Sequence, residues 1–192
     1  MAITKYQNLY NYLEQHLELN SGKFDFIKNG CDNFYDESDF DIDERTSEKR
    51  LQEIITEHSN IMRARRLKNN YNFKHIRARD KDFCSTVENF IIKAHPNARI
   101  LVTGFFHYPK NGYMGWHTNS DGAGRRTYLS YADEDNKSFF RYLDNNTGEI
   151  VTKWEKKGWN ENTFEIPSTD LYWHCVGSKC NRVSLGFNVE PM

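Results

Sequence analysis

The sequence has no run of about 18 apolar residues, the minimum length of a membrane-spanning helix. It also has no charged-then-apolar leader that ends in a small-residue cleavage site. We therefore expect a cytoplasmic protein with no membrane partner.

An excess of one charge is absent as well, because 26 Lys and Arg residues are balanced by 27 Asp and Glu residues. The formal net charge is only −1, so overall charge gives no argument for nucleic-acid binding. The charged fraction of 28% and the aromatic fraction of 15% are typical of a globular protein and exclude the composition of a disordered chain.

The cysteines form no C-x-x-C pair, which argues against both a disulfide framework and an ordinary zinc site. Cys175 and Cys180 nevertheless flank a short turn close to His174. A zinc site built from these residues therefore stays open as an alternative.

The first half of the chain has the periodicity of helices. Apolar residues recur at three and four positions in segments 4–20, 44–66 and 80–95, which places them on one face of each helix. The first segment gathers Tyr6, Leu9, Tyr10, Leu13 and Leu17 in this way. The third helix should end before Pro96, because a residue ahead of proline disfavours helical geometry.

The second half has short aromatic and β-branched runs separated by Gly, Asn and Asp, the pattern of antiparallel strands. Eight such runs occupy residues 98–109, 113–119, 125–133, 137–144, 149–158, 162–167, 171–177 and 181–189. The turn sequence at 144–149 predicts a hairpin between two of them. Helices followed by strands predict an α+β protein with a jelly roll or a closely related barrel.

The length of 192 residues favours a single domain, 1–192. In this division residues 1–98 form a mainly helical support region and residues 99–192 the β core. An acidic stretch and a basic stretch separate the halves, and we interpret them as solvated faces. The alternative is that the basic stretch binds phosphates or an acidic partner.

A Trp-His pair occurs twice, at Trp116-His117 and at Trp173-His174. Side chains alternate along a strand, so each pair should place the indole and the imidazole on opposite faces. Two histidines on different strands, with Asn119 on the same face as His117, form half a coordination sphere. Such an arrangement is suited to non-haem Fe(II).

The order His117-Thr118-Asn119, then His174, then Arg182-Val183-Ser184 resembles the Fe(II)- and 2-oxoglutarate-dependent dioxygenases. The resemblance covers roughly residues 99–189 and is strongest to small prolyl-hydroxylase-like members, including phage-type ones. It implies a double-stranded β-helix, a jelly-roll and cupin-like core with N-terminal helices packed on the sheet.

The same resemblance implies Fe(II) as the metal and 2-oxoglutarate and O2 as cosubstrates. Arg182 and Ser184 would hold the distal carboxylate of 2-oxoglutarate, since a guanidinium forms two parallel hydrogen bonds to such a group. Tyr108 resembles a cosubstrate-contacting tyrosine of the family, although a core tyrosine is an equal alternative. A protein side chain such as proline is the first hypothesis for the primary substrate, with nucleic acid and small molecules open.

The sequence departs from the family at Asn119, where a carboxylate is usual. Asp121 would supply the missing charge, but an extended strand places it roughly 13 Å from His117, so the chain must curl there. Asn119, Asp121 and an open third position therefore all remain alternatives. The competing functions are a non-catalytic jelly-roll module that contacts nucleic acid or protein, and a cupin-like zinc enzyme.

Overall fold

The computed structural model describes residues 4–19, 41–57, 71–76, 81–118, 123–166 and 171–192. The described helices are α1 (Gln7–His16), α2 (Ile42–Arg45), α3 (Glu48–Glu57) and α4 (Lys81–Ala94). Helices α1, α3 and α4 lie within the three segments that the sequence predicts as helical. None of the described helices is long and apolar enough to cross a membrane.

The strands are β1 (Tyr71–Asn72), β2 (Lys74–His75), β3 (Ala98–Tyr108), β4 (Gly112–His117), β5 (Gly124–Ala132), β6 (Ser138–Leu143), β7 (Ile150–Trp154), β8 (Gly158–Ile166), β9 (His174–Ser178) and β10 (Arg182–Pro191). Each of the eight predicted runs overlaps one of β3 to β10, which confirms the predicted strand series, although the bounds differ and β8 begins four residues before its predicted run. The two-residue strands β1 and β2 were not predicted, because they lie in the stretch interpreted as a basic surface.

Within the described residues, the strands form two antiparallel sheets of five strands each. The first sheet has the order β1-β4-β9-β6-β7 and the second has the order β2-β3-β10-β5-β8. Strands β6 and β7 form the predicted hairpin, in which the Asp144 amide donates to the Glu149 carbonyl at 2.9 Å. Gly148 takes a φ of 73° in this turn, a conformation that favours glycine.

The two sheets face each other across an aromatic interior. Phe140 on β6 lies 5.8 Å from Tyr128 on β5 and 5.3 Å from Phe164 on β8, measured between ring centroids. Tyr108 and Val176 belong to the same buried cluster. Residues of both sheets therefore pack into one core, and alternate residues of each strand point outward.

Helices α1 and α4 cover the outer face of the second sheet. Leu13 and Ile91 are fully buried with Leu185 and Phe187 of β10 in one cluster. All five residues of the predicted α1 stripe are buried as well. The stripe is buried because the apolar face of α1 packs against the second sheet.

Helix α3 covers the outer face of the first sheet. Leu51 and Ile54 pack against Trp116 and Trp173 there, with Cys175 in the same cluster. The structure is thus a β-rich fold with helices packed on its sheets. Most of the acidic and basic stretches, and the continuation of the predicted second helix to residue 66, lie outside the described residues.

Candidate functional site

Two histidines meet at the facing ends of β4 and β9. His117 is the last residue of β4, His174 is the first of β9, and the two are register partners. Their ring centroids are 4.0 Å apart, with an angle of 51° between the ring planes. Since Trp116 and Trp173 pack under α3 on the outer face, strand alternation places both imidazoles in the interior.

Backbone contacts fix the tautomer of both imidazoles. Nδ1 of His117 lies 2.9 Å from the Gly115 carbonyl, and Nδ1 of His174 lies 3.0 Å from the Tyr172 carbonyl. A carbonyl oxygen only accepts hydrogen bonds, so each Nδ1 must carry the proton and each Nε2 a lone pair. Nε2 of His174 is buried and has no hydrogen-bond partner among the described residues.

Both imidazoles are neutral at physiological pH. Burial lowers the pKa of His117 to about 4, against a weaker opposing effect of the Gly115 hydrogen bond. Burial also lowers the pKa of His174 well below its usual range, and His117 and Arg126 lower it further. A neutral imidazole with a free Nε2, oriented by a hydrogen bond at Nδ1, is the form that binds metal ions.

Aromatic rings surround His174. The ring centroids of Phe140 and Tyr172 lie 5.6 Å from its imidazole, that of Phe164 lies 5.9 Å away and that of Tyr128 lies 6.2 Å away. These aromatic side chains limit access of water and lower the local dielectric constant, which strengthens electrostatic contacts to a bound ion.

The third ligand position is not assigned. Asn119 and Asp121 both belong to residues 119–122, which lie outside the described residues. Within the described ranges no third His, Cys, Asp or Glu joins the two histidines in a group that could hold a metal. The roles of Asn119 and Asp121 therefore stay predictions.

The cysteine alternative does not match the geometry. Cys175 belongs to the cluster under α3, whereas its neighbour His174 points into the interior. Cys180 lies in the β9–β10 turn, where its carbonyl accepts a hydrogen bond from Ser178 at 2.8 Å. Burial raises the pKa of both thiols, which opposes the thiolate form that zinc requires. The described residues therefore do not bring these cysteines and His174 together in one metal-binding group.

Arg182, Ser184 and Tyr108 are brought together on β10 and β3. Arg182 is the register partner of Tyr108, and its Cζ lies 5.0 Å from the centroid of the Tyr108 ring. Ser184 follows two residues later on the same face. All three are buried, with exposed fractions of 0% for Arg182, 2% for Tyr108 and 6% for Ser184.

The guanidinium of Arg182 is already bound by a carboxylate of the chain. Its Nε and Nη2 donate to the two carboxylate oxygens of Glu155 at 2.7 and 2.8 Å. The hydroxyls of Ser130 and Ser138 donate to the same carboxylate at 2.5 and 2.6 Å. The Nε/Nη2 edge of the guanidinium is thus engaged by Glu155, and Nη1 of Arg182 is buried without a hydrogen-bond partner in the described part of the chain.

Both partners of this ion pair are charged. Burial tends to raise the pKa of Glu155, but Arg182 and the two serine hydroxyls outweigh it and lower that pKa. Burial tends to lower the pKa of Arg182, and Glu155 reverses this so that the pKa is raised. The buried pair therefore carries no net charge.

Two buried charged residues of the interior, Glu155 and Arg126, are not among the residues that the sequence predicts for the site. Glu155 has no local signal, because its partner Arg182 is 27 positions away and its neighbours have the charge pattern of a surface. Arg126 is only 3% exposed, and its Nη1 donates to Oδ1 of Asn188 at 2.6 Å. Strand alternation does give a signal for Arg126, because it shares a face with Tyr128 and Ser130.

The fold and site thus define a class: a β-rich protein of two facing sheets with a buried pair of neutral histidines. Similar solved structures include an oxidoreductase of the 2OG-Fe(II) oxygenase family from Burkholderia pseudomallei, at 10% identity over 77% of this chain and 81% of that chain, with a TM-score of 0.46. A prolyl-4-hydroxylase from Pseudomonas putida has 12% identity over 91% of this chain and 99% of that one, with a TM-score of 0.42.

A cupin domain from Bordetella pertussis has 16% identity over 49% of this chain and 94% of that one, with a TM-score of 0.28. No protein-family model matches the chain, and no curated protein matches it in sequence. With TM-scores below 0.5, these similarities assign neither a family nor a reaction to the chain.

Proposed function

We propose that the chain is an Fe(II)- and 2-oxoglutarate-dependent dioxygenase that hydroxylates a substrate, with a double-stranded β-helix as its core. The strand orders β4-β9-β6-β7 and β3-β10-β5-β8 support such a core, since successive strands are distributed over two facing sheets. In this proposal residues 1–98 support the core and residues 99–192 carry the site, as one domain.

The observation that carries the proposal is the pair of neutral imidazoles with adjacent rings and Nε2 lone pairs. Nε2 of His117 and of His174 would hold the metal, with Asn119, Asp121 or water at a third position. Fe(II) accepts imidazole nitrogen and oxygen ligands in such a partly open set. When bound, Fe(II) and 2-oxoglutarate supply the oxidation, in which O2 puts one oxygen atom into the substrate and the other into succinate as CO2 is lost.

The chain's own residues supply orientation and exclude water. The carbonyls of Gly115 and Tyr172 hold the imidazoles in the ligating tautomer. The distal carboxylate of 2-oxoglutarate would meet Nη1 of Arg182 and the hydroxyl of Ser184, with Tyr108 beside them. Because Glu155 engages the Nε/Nη2 edge of Arg182, this contact would use the remaining N–H groups of the guanidinium.

The primary substrate class is proposed from the resemblance alone. Proline or another protein side chain is the first hypothesis, and nucleic acid or a small molecule is the alternative. The phage-type, small prolyl-hydroxylase-like assignment belongs to the same proposal.

A second candidate function is a non-catalytic jelly-roll module that contacts nucleic acid or protein. The observation that favours it is the engagement of Arg182 by Glu155, because an interior ion pair of this kind also serves a fold without a cosubstrate. This candidate predicts that ligand binding is independent of any metal.

Calorimetry under anaerobic conditions separates the two candidates. Mn(II), a redox-inert substitute for Fe(II), is titrated first, and 2-oxoglutarate is titrated with and without it. The dioxygenase proposal predicts that 2-oxoglutarate binds only with metal, and that H174A loses both binding steps and the formation of succinate with Fe(II) and O2. The matched control is H16A, because His16 is an exposed histidine on α1. Metal-independent binding, or turnover retained in H174A, would contradict the proposal.

A further inference from the structure

Glu155 is held in place by its backbone as well as by its side chain. It lies in the short connection between β7 and β8, where its amide donates to the Ser138 carbonyl at 2.9 Å. Its own carbonyl accepts from the Asn136 amide at 2.8 Å. Together with the four hydrogen bonds to its carboxylate, these contacts keep the negative charge beside Arg182.

The charge of Glu155 changes what Arg182 can attract. Both side chains are removed from solvent, with exposed fractions of 0% for Arg182 and 2% for Glu155, so water screens their fields little. A second carboxylate that approached Nη1 would be attracted by Arg182 and repelled by Glu155, which is bound at another edge of the same guanidinium. The two Coulomb contributions have opposite signs, so Glu155 offsets part of the attraction.

We propose that Glu155 is the positioning residue that sets cosubstrate selectivity, because it neutralises Arg182 and occupies the Nε/Nη2 edge of its guanidinium. The site would therefore accept a 2-oxo acid whether or not it carries a distal carboxylate. This inference rests on the proposed function, since it concerns the same cosubstrate site. It extends the cosubstrate class from 2-oxoglutarate to 2-oxo monocarboxylic acids of similar length.

A different result is expected if the ion pair of Glu155 and Arg182 has only a structural role. If Glu155 only stabilised the fold, its substitution would lower the affinity for all 2-oxo acids alike. A role in selectivity instead changes the ratio of two affinities, and that ratio is insensitive to a general loss of folded protein.

The test compares two probes on the Mn(II)-loaded full chain by anaerobic calorimetry. The probes are 2-oxoglutarate and 2-oxopentanoate, which has a methyl group in place of the distal carboxylate. The variant is E155Q, which keeps the shape and an acceptor oxygen but removes the charge. The matched control is E149Q, because Glu149 is exposed and lies in the neighbouring β6–β7 turn.

We expect the wild type and E149Q to prefer 2-oxoglutarate by less than about tenfold, because the pair of Arg182 and Glu155 carries no net charge. In E155Q the uncompensated guanidinium should raise that preference by about tenfold or more. The wild-type ratio needs no variant, so the inference stays testable if E155Q does not fold.

The outcomes distinguish the two proposals. A wild-type preference for 2-oxoglutarate of about tenfold or more, or an unchanged preference in E155Q, overturns the role of Glu155 and leaves the proposed function standing. Failure of the wild type to bind either acid in the presence of Mn(II) overturns both.

Discussion

Substituting Glu155 with Ala should strongly destabilise the protein, because it leaves the Arg182 guanidinium buried without a counter-ion. Removal of one partner from a buried ion pair typically costs about 3–5 kcal/mol. The hydroxyls of Ser130 and Ser138 also lose their acceptor, at up to about 1–3 kcal/mol each where no other partner is found. We therefore expect the free energy of unfolding of E155A to fall by at least about 3 kcal/mol.

Removing both charges should lower the free energy of unfolding much less than removing either charge alone. In the double variant E155L/R182M, apolar side chains of similar length replace the pair, and such replacements are often close to neutral. The variant R182M alone should be as unstable as E155A, because it leaves the Glu155 carboxylate buried and unpaired. The double-mutant cycle should thus give a coupling energy of about 3 kcal/mol or more.

Urea unfolding followed by tryptophan fluorescence measures these free energies, since the chain has 4 tryptophans. The exposed Glu149 provides the control, and E149A should change stability by less than about 0.5 kcal/mol. A loss below about 1 kcal/mol in E155A, or additivity of the two single variants, would refute the reasoning.

Three further predictions concern acid stability and packing. Folding lowers the pKa of Glu155 from 4.5, so its stabilising effect is complete above pH 4.5 and is lost as the pH falls through the pKa of the folded state. The free energy of unfolding should therefore fall less steeply with acid in E155Q than in the wild type. Parallel curves for the two proteins would contradict this. A Cβ at Gly177 would overlap the Phe139 ring, so G177A should cost about 1–3 kcal/mol by urea unfolding, whereas an unchanged midpoint would contradict the packing. Trp116 donates to the Ser47 carbonyl at 2.8 Å, so W116F should cost about 1 kcal/mol by the same assay, and a gain in stability would refute this contact.

The parts of the structure that follow from local periodicity were predictable. The α1 stripe, the third helix and the eight strands follow from spacing rules of three to four and two residues. The repeated Trp-His dipeptide gave the most information, because alternation places each tryptophan and its neighbouring histidine on opposite faces of the sheet. The structure has Trp116 and Trp173 on the α3 side. No comparable rule predicts which residues contact each other across the core.

The ion pair of Glu155 and Arg182 was not predictable for that reason. Glu155 stands in the sequence Trp-Glu-Lys-Lys, which has the charge pattern of a solvated turn. It is buried because β5 and β10 of one sheet and β6 of the other place Ser130, Arg182 and Ser138 around its carboxylate. Arg182 was predicted as an interior cation, but a sequence does not reveal whether a carboxylate of the chain or of a ligand meets it. The choice between Asn119 and Asp121 depends on how the chain turns after His117, and no periodic pattern determines that turn.

The number of imidazole nitrogens on one bound metal ion shows whether His117 and His174 act together as ligands. Electron paramagnetic resonance of the protein with one equivalent of Cu(II) reports this number through nitrogen hyperfine coupling. We predict two coordinated imidazoles in the wild type and in H16A, and one in each of H117A and H174A. A wild-type spectrum without coupling to two imidazoles, or one that is unchanged in H174A, would contradict the account.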